Sequence, residues 1–197
     1  MIDKVLKYLE SDISQYLLLQ GIEEDEGNQK ELVKLSNIVD QKGMLITSTT
    51  VARSIQQKIF LTLLNVSPDD SKGALGGATH NSDIPTNVVL YVLLAVYVKP
   101  DTEGVDTSPY ELSLNILSKI IEYFQLNKVL NIPGLPLEAG NQVHTKLVKM
   151  SFDELSNIWS TMGAKYLPSV VYRLRSVSIK GHKVIEDAPP ITKITIG

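Results

Sequence analysis

No cysteine occurs in the 197 residues. That absence excludes a disulfide scaffold, thiolate zinc sites, iron–sulfur clusters and cysteine nucleophiles, and it leaves the compartment open. Positive charge is also short. There are 19 Lys plus Arg against 22 Asp plus Glu, a formal charge of −3, and the only arginines are Arg53, Arg173 and Arg175. A protein that tracks phosphate backbones carries a clustered excess of positive charge, so nucleic acid is not an expected partner. Long apolar runs are missing too. The longest, Val88 to Val98, has 11 residues, against about 20 for a membrane-crossing helix, so membrane insertion is not expected. Met1-Ile2-Asp3-Lys4 leads straight into an amphipathic pattern, without the layout of a secretory signal. A soluble chain made in the cytoplasm is the expectation.

What is present is enough to build a core. Apolar residues make up 43% against 21% charged, which excludes wholesale disorder, and the length suits one domain. Ile2, Val5, Leu6, Leu9, Ile13, Tyr16 and Leu17 recur at steps of three and four, with Gly21 beyond. That spacing predicts a helix whose polar side carries Lys4, Lys7, Glu10 and Ser14. Glu23 to Glu26 is an acidic, solvated loop. Strands are predicted at 31–40, at Lys58 to Val66 and at Val88 to Val98, the last apolar on both faces and bounded by Pro85 and Pro100. Between them, 67–87 is a long loop rich in Gly, Ser, Asp and Asn. Ser108, Pro109 and Glu111 form the start signal of a second helix with a capping box. Ser151 and Glu154 repeat the box before a third helix bearing Leu155, Ile158, Trp159 and Met162 and stopped by Gly163.

The stretch 131–141 reads as irregular and 142–150 as a strand. Pro168 leads into a strand at 169–180 with Val171, Arg173, Arg175, Val177 and Ile179 on one face by alternation. The tail carries Pro189-Pro190 and an alternating terminal strand, Ile191 to Ile196. Several consecutive strands without intervening helices predict an α+β fold, a mixed, largely antiparallel sheet packed against about three helices. Strict α/β alternation is the alternative. The domain is expected to span 1–181, with 182–197 as an extension.

Catalytic signatures do not emerge. His80, His144 and His182 have no partner at a metal-binding spacing. Gly73-Ala74-Leu75-Gly76-Gly77 lacks the Gly-Lys-Ser/Thr of a phosphate loop, and the acidic turn at 68–73 lacks calcium-loop spacing. The expectation is therefore no catalytic residue, no metal, no cofactor and no enzymatic role. A small hydrolase or ligand-binding domain using the 67–87 loop as a lid is a weaker alternative. The Ile191 to Ile196 strand pairs either within its own sheet or, through Ile191, Lys193, Ile194 and Ile196, with a neighbouring chain.

The segment from Leu155 to Tyr172 is distinctive: a capped helix with one Trp, a Gly stop, then Lys165-Tyr166-Leu167-Pro168-Ser169 into a β-branched strand. With KIFLTLLNV and VVLYVLLAVYV upstream, it resembles the tail-terminator or cap proteins of extracellular contractile injection systems of the antifeeding-prophage type. The resemblance implies a phage tail-terminator-like fold and a structural subunit, typically of a hexameric ring. Such a ring ends the inner tube and anchors the last sheath layer. It implies as partners further copies of the chain, the tube protein, the sheath protein and a second cap subunit. It implies assembly in the cytoplasm into a particle that can be released. A related tail adaptor or connector is the alternative within that class. Trp159, Gly163 and Pro168 read as structural anchors. Lys165 and Tyr166 read as neighbour contacts or as local packing.

Overall fold

The two segments richest in β-branched and aromatic residues pair with each other and form the middle of the molecule. In the computed structural model, which describes residues 1–22, 32–40, 43–46, 57–69, 86–98, 108–135 and 142–179, they are β2 (Gln57–Pro68) and β3 (Thr86–Val98). Around them lie α1 (Ile2–Leu19), β1 (Val33–Leu35), α2 (Pro109–Leu126), β4 (Val129–Asn131), β5 (Gln142–Leu147), α3 (Phe152–Met162) and β6 (Ser169–Ile179). The six strands form one sheet in the order β1-β2-β3-β6-β5-β4. Only β1 runs parallel to its neighbour; the other pairings are antiparallel. The fold is the α+β class expected from the sequence.

Each face of the sheet has its own core. Alternate residues of β2 and β3, such as Ile59, Leu61, Leu90, Val92 and Leu94, pack with Val5, Leu9, Ile13 and Leu17 of α1 and with Ile116, Ile120 and Phe124 of α2. Phe60, Leu93, Ala95 and Val171 point the other way, to Trp159 of α3. Two helices thus cover one side and one short helix the other. Tyr123 of α2 donates its hydroxyl to the Asp12 carboxylate of α1, and burial followed by that charge pushes the phenol far up. Tyr172, buried under Phe124, is pushed up to about 12 by burial.

Several local expectations need correcting. Ser14 does not lie on a polar side: it is 2% exposed. Its hydroxyl donates to the Glu10 carbonyl at 2.6 Å and accepts the Val33 N–H at 3.0 Å. The Glu10 carboxylate takes the Leu35 N–H at 2.8 Å. Two polar side chains of α1 therefore hold β1, which is three residues long and not ten. Past it, Val39 and Leu45 form only an isolated bridge.

Ser108 does open α2, with Pro109 in the first turn, but makes no side-chain cap bond. The box with Glu111 is absent there; Ser108 contributes its carbonyl, to the Leu112 N–H at 3.0 Å. Between α2 and the stretch expected to be irregular the structure finds β4, paired with β5 from Val129↔His144 to Asn131↔Gln142. Three residues leave too short a pattern to read as a strand.

Face alternation fails in β6. Leu90 opposes Leu174 and Val88 opposes Val177, so one residue of β3, Val89, meets two of β6, Arg175 and Ser176. The extra residue inverts the faces beyond it, and Val177 joins Leu174 in the core beneath α1 and α2. The expected 67–87 loop is shortened at both ends, because β2 runs through Pro68 and β3 starts at Thr86. Residues 70–85 with His80, the Glu23 to Glu26 loop, His182, the boundary at 181 and the strand from Ile191 to Ile196 lie outside the described residues.

Candidate assembly surface

Among the described residues a single helix, α3, lies on the second side of the sheet. α3 has 11 residues, about 16 Å of helix, while β3 has 13, roughly 43 Å of strand. Strong local signals place the helix. Ser151 completes its capping box: its hydroxyl accepts the Glu154 N–H at 3.2 Å and the Glu154 carboxylate accepts the Ser151 N–H at 2.7 Å. Those bonds hold the Glu154 carboxyl below its ordinary range. Gly163 ends the helix at φ 66°, the left-handed conformation that glycine adopts without a steric penalty.

Trp159 is 4% exposed and packs with Ile38, Phe60, Leu93, Ala95 and Val171. Its indole Nε1 finds no hydrogen-bond partner among the described residues. The chain then returns to the sheet through 164–168. Buried Pro168 accepts the Val96 N–H at 2.9 Å through its carbonyl. The Tyr166 ring meets the Trp159 ring edge-on at 5.7 Å, although Tyr166 is 59% exposed. Lys165 beside it is exposed. Trp159, Gly163, Lys165, Tyr166 and Pro168 are thus brought together in one helix-and-return unit. Ile191, Lys193, Ile194 and Ile196 lie outside the described residues.

Beside α3 opens a groove of about 650 Å³ between Leu63, Leu64 and Asn65 of β2, Tyr91 of β3, and Ile158 and Met162 of α3. A register shift between Leu63 and Asn65 leaves Leu64 without a β3 partner; Leu64 packs with the α3-side core, whereas Leu63 packs against the core on the other face. Among the described residues no charged side chain lines the groove. Its chemistry suits an apolar side chain with amide or hydroxyl groups at the rim; proton transfer would need groups it does not supply. Half-buried Lys58 donates to the Ile46 carbonyl at 2.5 Å and lies 5.0 Å from the Phe60 ring centre. Burial first, then repulsion from Lys34, lowers its pKa.

Among the described residues no group of His, Asp and Glu could hold a metal, and no helix is long and apolar enough to cross a membrane. Sequence reasoning found the Trp159 unit through its cap, stop and aromatic. It missed the groove, because a bulge has no residue signature in Leu63-Leu64-Asn65.

Comparison with known proteins completes this picture. No curated protein matches the chain. Among solved structures, the sheath/tube terminator of an extracellular contractile injection system, PVC, in its extended state is similar at 12% identity with a TM-score of 0.53. That alignment covers 96% of this chain and 62% of the other. The tube-terminating cap of the anti-feeding prophage is similar over 72% of this chain and 49% of its own, at 17% identity and a TM-score of 0.49. The chain therefore spans about three fifths of the length of the first relative and half that of the second. The model of the family described as the Pvc16 N-terminal domain matches residues 5–193. The chain belongs to the Pvc16 N-terminal domain family.

Proposed function

We propose that this domain is a structural tail terminator of a contractile injection system. In this reading copies of the chain form a closed ring, typically of six, that ends the inner tube and anchors the last sheath layer. The observation that carries it is the family match across 5–193, joined by a sheath/tube terminator sharing the fold over nearly the whole chain. The groove beside α3 supports the same reading, since a largely apolar lining with no charged side chain among the described residues fits protein contacts better than chemistry.

Its partners are then further copies of itself, the tube protein, the sheath protein and a second cap subunit. The role is non-enzymatic and needs no cofactor, and assembly takes place in the cytoplasm before the particle leaves the cell. Trp159, Gly163 and Pro168 act as anchors of the helix-and-return unit, and exposed Lys165 and Tyr166 meet a neighbour. The segment with Ile191, Lys193, Ile194 and Ile196 supplies a strand to an adjacent chain.

Electron microscopy of the purified protein, alone and with tube and sheath protein, tests the reading. Closed rings seated on tube ends are expected. A monomer that binds neither component overturns it. Removing residues 191–197 is expected to weaken the ring; unchanged assembly would dismiss the donated strand while leaving the terminator role intact.

A further inference from the structure

β1 is the outermost of the described strands on its side of the sheet, and its pairing with β2 fixes which backbone donors face away. The Leu32 carbonyl accepts the Ile59 N–H at 3.1 Å, and the Ser36 N–H reaches the Leu61 carbonyl at 3.2 Å. Leu32, Lys34 and Ser36 therefore turn their backbone groups to β2, while Val33 and Leu35 turn theirs outward. An edge of this kind is a template for another strand. Leu32, Val33 and Leu35 are apolar and join the core shared with α1, so an open edge here would be prone to pair.

Both outward donors are taken, and not by a strand. The Val33 N–H goes to the Ser14 hydroxyl at 3.0 Å and the Leu35 N–H to the Glu10 carboxylate at 2.8 Å. The spacing explains why one helix can serve both. Glu10 and Ser14 are four residues apart on α1, a rise of about 6 Å. Val33 and Leu35 are two residues apart on β1, about 6.6 Å. Lys34 Nζ lies 3.6 Å from the same Glu10 carboxylate.

The helix that carries these two side chains is itself fixed. Val5, Leu9, Ile13 and Leu17 bury its inner stripe in the core. On the flank opposite Glu10 and Ser14, the Asp12 carboxylate accepts the Tyr123 hydroxyl of α2. A strand approaching β1, from this chain or another, thus meets two amides already bonded and a helix that cannot move aside without opening the core.

We propose that Glu10 and Ser14 make α1 an edge guard, which keeps a second copy of the chain from laying its own β1 antiparallel against this one. The guard acts on every copy, free or assembled, and so stands apart from the ring reading. A mere brace would affect stability alone; a guard also governs how the chain associates.

The test uses the full chain in a sedimentation-velocity concentration series, with far-UV circular dichroism as a check on folding. Glu10→Ala with Ser14→Ala is expected to form species beyond the wild-type size distribution at about tenfold lower concentration. Glu10→Gln, which keeps a carbonyl acceptor, should behave as wild type. Adding Leu35→Pro to the double variant deletes an outward donor without touching the β2 pairing, and should remove the extra species. If the double variant folds poorly, Glu10→Ala alone serves. In that chain the Leu35 amide should exchange with solvent about tenfold faster than in wild type. Unchanged exchange overturns the contact. A folded double variant that is less stable and no larger than wild type overturns the guard, and so does association that survives Leu35→Pro. A wild-type chain that never forms rings overturns the ring reading and leaves the guard standing.

Discussion

Trp159 shows how one residue can secure an otherwise sparse face. It is the chain's only tryptophan and the one buried residue of α3, so the helix is held to the sheet largely through a single indole. Trp159→Ala is expected to lower stability by about 3–5 kcal/mol, read as a shift in denaturant midpoint; a shift below about 1 kcal/mol would deny it the anchoring role. Ser14 acts by the opposite chemistry. Removing its hydroxyl strands the buried Val33 N–H, and Ser14→Ala should cost about 1–3 kcal/mol, checked by the same midpoints. A serine between apolar neighbours signals nothing in a sequence, since its burial depends on where β1 arrives. Trp159 was legible because a capping box before it and a glycine after it fixed the helix that carries it.

At the scale of elements, the two capping sequences had different fates. Ser151 and Glu154 made their reciprocal bonds, whereas Ser108 made none through its hydroxyl. The motif describes what a local stretch is able to do, and the surrounding chain decides whether it does so. For α3 the bond carries a pH signature. Glu154 has a lowered folded pKa, so its contribution is present above the ordinary glutamate range and is lost as pH falls through the lower folded value. Thermal melts from pH 7 to 3 should therefore show Glu154→Ala, which removes the carboxylate that accepts the Ser151 N–H, converging on wild type at the acid end. A difference that stays constant across that range would show that the cap does not act through the carboxylate. The long strands β2, β3 and β6 were readable as apolar runs. β1 was read as a strand but at ten residues where it has three, and neither the three-residue β4 nor the bulge that turns Val177 inward was read, because lengths and bulges depend on register with a partner strand.

For the whole molecule, the class of fold followed from the order of patterns, since consecutive strands without intervening helices leave few ways to build a sheet. Strand order did not follow. The central pairing joins β3 to β6, with Leu94 opposite Val170 and Leu90 opposite Leu174, across α2, β4, β5 and α3. Contacts so distant along the chain must close large loops before they stabilise anything, so refolding is expected on the slow, millisecond-to-second side of the range for single domains. Stopped-flow tryptophan fluorescence measures this directly, and microsecond refolding would contradict it. The same pairing has a consequence on the ribosome. β6 is made after every other described element, and until it emerges β3 is an edge strand offering its run from Val88 to Val98 to any passing partner. The nascent chain therefore spends its synthesis with its stickiest segment unguarded, and the last of the described strands to be made is the one that closes that edge.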